Sequence, residues 1–121
     1  MNRYLTLQEK EDNKIVSIVK QFKLDISKFG KLVYFKYQPA QKKIIELTDH
    51  DTIYTTIRTS KQGHYADFAI EILIVPEEDS YEFIVYVNEG MTDKDFHNYG
   101  DVMKYLKIRL KEFKQNMFGH L

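Results

Sequence analysis

The sequence predicts an α+β fold: an N-terminal helix, an antiparallel meander of about five strands, and a C-terminal helix packed on the sheet. Three observations predict it. Apolar residues recur at spacings of three and four near both ends of the chain, and they alternate with polar residues through the middle. The connections between the alternating segments are too short for parallel crossovers, so neighbouring strands must run antiparallel.

The first helix follows from Ile15, Ile18, Val19, Phe22, Ile26 and Phe29, which fall on one face at helical spacing. Thr6 and Glu9 have the spacing of a capping box, with Asp12 as a competing N-cap. Gly30 is placed as a left-handed stop after Lys28.

Residues 31–37 then read as a strand, rich in β-branched and aromatic side chains, and 38–41 as a proline-containing turn. A second strand over 42–48 is broken by Asp49, His50 and Asp51. A third spans 52–59, and a turn over 61–64 leads into the strongest strand, 65–75, where Ala66, Phe68, Ile70, Ile72 and Ile74 share one face. After a loop over 76–80, residues 81–88 form the last strand. Alternation assigns Val33, Phe35, Ile45, Leu47, Ile53, Ile57, Phe68, Ile70, Ile72, Phe83, Val85 and Val87 to the inner face.

The second helix has the clearest periodicity: Phe96, Tyr99, Met103, Leu106, Leu110, Phe113 and Met117 form a continuous stripe. Thr92 is the expected cap, and Gly100 followed by Asp101 suggests a short turn before the main helix. The stripe is about three heptads long, so it reads as a packing face rather than a coiled-coil seam.

A chain of 121 residues matches one domain, and 43% hydrophobic with 30% charged residues is the balance of a globular protein. It has no cysteine, which excludes a disulfide framework, a thiol nucleophile and a thiolate metal site. Nothing in it reads as a signal peptide or a membrane span, so the expectation is a cytoplasmic protein without membrane partners. The three alanines beside abundant lysine and isoleucine suggest an AT-rich bacterial or phage genome.

Eighteen basic and eighteen acidic residues cancel overall but not locally. Residues 1–61 carry twelve Lys/Arg against seven Asp/Glu, 62–101 one against ten, and 102–121 five against one. The acidic block over 77–95 would steer the chain toward a partner with a basic surface.

Side chains capable of chemistry are present without the spacing that chemistry needs. Asp49, His50 and Asp51 form one cluster, and Asp93, Asp95 and His97 another. Neither fits a His-Glu-x-x-His motif or a calcium loop, and aspartate is common in turns and at helix starts for its own reasons. Ser17, Ser27, Ser60 and Ser80 lie in no nucleophile elbow, and the glycines never cluster into a phosphate loop. No catalytic residue, metal or cofactor is therefore assigned, and an enzyme is not expected. His64 reads as a turn residue and His120 as terminal.

The outer sheet face is more informative. Tyr34, Tyr54 and Tyr86 alternate outward there, among Lys36, Ile44, Glu46, Arg58, Asp67, Glu71, Leu73 and Ile84. A tyrosine offers a stiff apolar body with a polar tip, suited to a surface that is wet when free and dry when bound. It is also a favoured strand residue, so a helix or loop covering this face is the competing reading. On the back of the second helix, Tyr105 and Ile108 lie among charges.

The expectation is a small non-catalytic factor that binds another protein, of adaptor, inhibitor, immunity or chaperone type. Its candidate contacts are Tyr34, Tyr54, Tyr86, Glu77, Glu78, Asp79, Tyr105 and Ile108, and a homodimer is an allied option. The alternative is a platform binding single-stranded nucleic acid or a small ligand, with the tyrosines stacking and Lys104, Lys107, Lys111 and Lys114 as a basic ridge. Zero net charge and only three arginines weigh against it.

Overall fold

The computed structural model describes residues 7–42, 47–48, 50–61, 64–87 and 94–118. The chain runs α1 (Leu7–Ile26), β1 (Lys31–Gln38), β2 (Gln41–Lys42), β3 (Leu47–Thr48), β4 (Asp51–Lys61), β5 (His64–Pro76), β6 (Tyr81–Val87), β7 (Lys94–Phe96) and α2 (Tyr99–Phe118). Five strands form an antiparallel sheet in the order β1-β4-β5-β6-β7, and β2 pairs with β3 as a separate ladder. The helix–sheet–helix α+β architecture is the expected one.

Both helices pack on one face of the sheet. Ile15, Val19, Phe22 and Ile26 of α1 and Val102, Leu106 and Leu110 of α2 are buried against Ile53, Ile57, Phe68, Ile70, Ile72, Ile74, Phe83, Val85 and Val87. Burying each large side chain is worth about 1.5–3 kcal/mol. Phe22 joins the layers: its ring meets Phe83 edge-on at 5.6 Å and Tyr99 at 4.6 Å. Phe68 and Phe113 make a second sheet-to-helix contact at 5.4 Å.

Several local readings are corrected. The helix α1 ends at Ile26 in tightened turns, with Lys28 N–H donating to Asp25 O and Phe29 N–H to Ile26 O, so Phe29 lies past its end. Asp12 is inside the helix rather than capping it, and Thr6 lies outside the described residues. Gly30 does not take a left-handed conformation. It is needed because the chain passes so close to β4 that a Cβ would sit 2.6 Å from Ile57 Cγ2.

The described residues of the expected 42–48 strand, Lys42, Leu47 and Thr48, belong to no strand of the main sheet. Gln41 pairs with Thr48 and Lys42 with Leu47, while β1 pairs directly with β4. Asp51 anchors this detour, accepting hydrogen bonds from Tyr37 Oη at 2.6 Å and the Ala40 N–H at 3.2 Å. Ile44, Ile45 and Glu46 lie outside the described residues. The fifth strand is instead β7, paired with β6 through Phe83–Phe96, Ile84–Asp95 and Val85–Lys94.

Phe96 therefore belongs to the sheet, and α2 starts at Tyr99 with Gly100 inside its first turn. Its cap is Asn98, whose Oδ1 accepts the Asp101 N–H and whose carbonyl accepts the Val102 N–H. Thr92 lies outside the described residues. Val102, beside the stripe that runs through Tyr99 and Met103, is fully buried as well, because a packed helical face is wider than one line of residues.

Candidate functional site

The face of the sheet opposite the helices is built by strand register. Lys36, Tyr54, Glu71 and Tyr86 form one row across four strands. Gln38, Thr52, Leu73, Ile84 and Asp95 form the next, and Tyr34, Thr56 and Ala69 flank the first on its other side. Directly opposed residues share a face, so these side chains occupy one surface. None of the described helical core residues lies on it. Tyr34 is 50% exposed, and Tyr54, Tyr86, Leu73 and Ile84 are half-buried among their strand neighbours.

A β-bulge between Leu32 and Tyr34 adds to this surface. The extra residue, Val33, has no ladder partner and is 42% exposed, so it does not join the inner face as alternation predicted. Leu32 and Phe35 turn inward instead. Beside the bulge the buried Thr55 hydroxyl donates to the Tyr34 carbonyl at 2.7 Å.

Charge on this face is divided. Strands β1 and β4 contribute Lys31, Lys36 and Arg58, whereas β5, β6 and β7 contribute Asp67, Glu71, Glu82 and Asp95. Arg58 and Asp67 pair at 3.8 Å where the halves meet. Burial raises the pKa of the Tyr54 phenol, and the adjacent Glu71 carboxylate, which accepts its hydrogen bond, raises it further.

The acidic turn lies beyond one end of this face. Glu77, Glu78 and Asp79 are exposed, and the Glu77 N–H donates to the Ser80 carbonyl. His97 stands beside it, with Nδ1 at 3.3 Å from Glu77 and Nε2 at 3.9 Å from Glu82. These three side chains offer oxygen and nitrogen atoms within 4.8 Å of one another. Each ring nitrogen faces a different carboxylate, and the imidazole is 64% exposed. A cleft of about 460 Å³ opens next to it between α1 and the start of α2, lined in part by Ser17, Gln21, Tyr81 and Tyr99.

The clusters read from sequence are therefore redistributed. His97 meets glutamates rather than its sequence neighbour Asp95, which lies across from Ile84 on the outer face, and Asp93 is outside the described residues. Asp51 is occupied by Tyr37 and Ala40, and Asp49 is outside the described residues. Alternation could not place His97 with Glu77 and Glu82, because only the β6–β7 pairing brings them together.

On α2, Tyr105 packs on Phe96 at 5.1 Å, with Lys94 Nζ 5.6 Å from its ring centroid, whereas Ile108 is 56% exposed. Lys104, Lys107, Lys111 and Lys114 are exposed on a helix that packs against the inner face. The lysine ridge and the tyrosine face thus lie on opposite sides of the molecule. Among the described residues no helix is long and apolar enough to cross a membrane. Comparison with protein-family models, with curated proteins and with solved structures finds no match to this chain.

Proposed function

We propose that this protein is a non-catalytic protein-binding domain whose working surface is the outer face of its sheet. One observation carries the reading: Val33, Tyr34, Tyr54, Leu73, Ile84 and Tyr86 share a face on which neither helix packs. Aromatic and aliphatic groups interleaved with charges are the composition of a surface that is solvated when free and buried when bound. The acidic turn at Glu77, Glu78 and Asp79 would favour encounter with a basic protein surface without providing most of the affinity.

A photo-crosslinking residue placed at position 34 or 86 tests this in cells, with position 107 on α2 as the control. Adducts to a defined protein from 34 and 86, lost in the Tyr34→Ala/Tyr54→Ala/Tyr86→Ala variant, are expected. Adducts from position 107 alone would remove the sheet face from the account. Reversing Glu77, Glu78 and Asp79 should lower partner capture at low salt; unchanged capture would remove the turn. Stacking of single-stranded nucleic acid is the alternative, but its basic ridge faces away from the tyrosines.

A further inference from the structure

We infer that the occupant of the outer face is a second copy of this chain, related by a two-fold axis running along the strands. The inference rests on the reading of that face as a protein-binding surface. Its ground is the division of charge: Lys31, Lys36 and Arg58 on β1 and β4, and Asp67, Glu71, Glu82 and Asp95 on β5, β6 and β7. A surface that is basic on one half and acidic on the other is complementary to itself under one rotation only.

Two sheets packed face to face can be related by an axis in the plane between them, along the strands or across them. An axis across the strands sets β1 on β1, so Lys36 meets Lys36. An axis along the strands, between β4 and β5, sets β1 over β6 and β4 over β5. Strands β1 and β6 are three spacings apart, about 14 Å, so this rotation carries Lys36 onto the acidic half of the other copy. It also places Tyr54 over Glu71 and Thr52 over Leu73, and brings the Leu73 side chains of the two copies together beside the axis. The four strands that overlap measure roughly 20 by 19 Å, a projected area of roughly 400 Å² per copy, against about 800 Å² for a standard interface. An interface below the standard size belongs to the weak, transient class.

Sedimentation velocity on the whole chain over a range of micromolar concentrations tests the inference. The wild type should pass from monomer to dimer. Lys36→Glu alone, and Glu71→Lys/Asp95→Lys alone, should each weaken association at least about tenfold, because residue 36 lies over Tyr86 of the other copy, with positions 71 and 95 on the strands to either side, and each variant gathers like charges there. An equimolar mixture of the two variants should recover dimer to within about threefold of wild type, since the heterodimer re-forms one contact in its native sense and the other with its signs exchanged. Ile84→Arg should be monomeric, with its far-ultraviolet circular dichroism retained. A wild type that stays monomeric throughout would overturn the dimer while leaving a different protein partner to the crosslinking experiment. A dimer indifferent to these substitutions, or a mixture that fails to recover, would equally overturn it.

Discussion

Gly30→Ala isolates one consequence of the fold. Gly30 enters β1 against β4, and an added Cβ would lie 2.6 Å from Ile57 Cγ2 and 3.3 Å from the Arg58 carbonyl. Ordinary contact begins near 3.4 Å, so the methyl group needs about 0.8 Å of displacement from Ile57. Ile57 is fully buried and has no room to retreat, and the Arg58 carbonyl is backbone that cannot rotate away. Overpacking of this kind costs about 1–3 kcal/mol. Stiffening the unfolded chain by Gly→Ala returns about 0.4–1 kcal/mol, so a net loss of about 1–2 kcal/mol is expected.

Urea unfolding followed by circular dichroism measures this loss as a lower midpoint with an unchanged slope. The partner variant Ile57→Leu removes the γ-methyl that the new Cβ would strike, and by itself should cost less than about 1.5 kcal/mol. Combined with Gly30→Ala it should cost at least about 0.5 kcal/mol less than the sum of the two. A Gly30→Ala protein as stable as wild type would refute the close-approach account, and strict additivity would place the clash elsewhere.

Other outcomes follow from the same structure. Phe22→Ala removes the ring shared by α1, β6 and α2 and should cost about 3–5 kcal/mol in urea unfolding, whereas Phe22→Leu should cost markedly less. Tyr99 Oη donates to Asp25 at 2.5 Å, and burial followed by this bond raises the phenol pKa well above its usual value of 10.0. The unfolded chain therefore loses this proton first, so stability is fully present below about pH 10 and declines above it. Tyr99→Phe should flatten the decline measured by thermal melts at rising pH. The Asp25 carboxyl is held below its usual range by Gln21 first and then Tyr99. Its contribution is present above about pH 4 and is lost as pH falls further, so Gln21→Ala should move the acid unfolding midpoint upward. His97→Ala should change stability by less than about 1 kcal/mol, since the imidazole that meets Glu77 and Glu82 is itself largely solvated.

The structure shows why some of this was legible and some not. Ile15, Val19, Phe22 and Ile26 declare α1 by spacing, and Phe68 to Ile74 declare β5 by alternation, because burial on one face imposes the period of the element. The bulge at Val33 inserts one residue without a local signature, so Leu32 before it and Phe35 after it both face inward, and strict alternation misassigns Val33. Phe96 fits a helical stripe equally well as a strand, and its pairing with Phe83 settles which. Gly30 looks like a helix stop, yet the decisive neighbour is Ile57, distant in sequence.

Sequence alone determined the classes of element, their order and most of the inner face, since these depend on periodicities each segment carries within itself. Tertiary structure decided that both helices share one side of the sheet, that β1 lies beside β4, and that positive and negative side chains divide between the two halves of the other side. These are pairings between distant segments. They are chosen by which surfaces fit and bury together, and no local pattern contains that information.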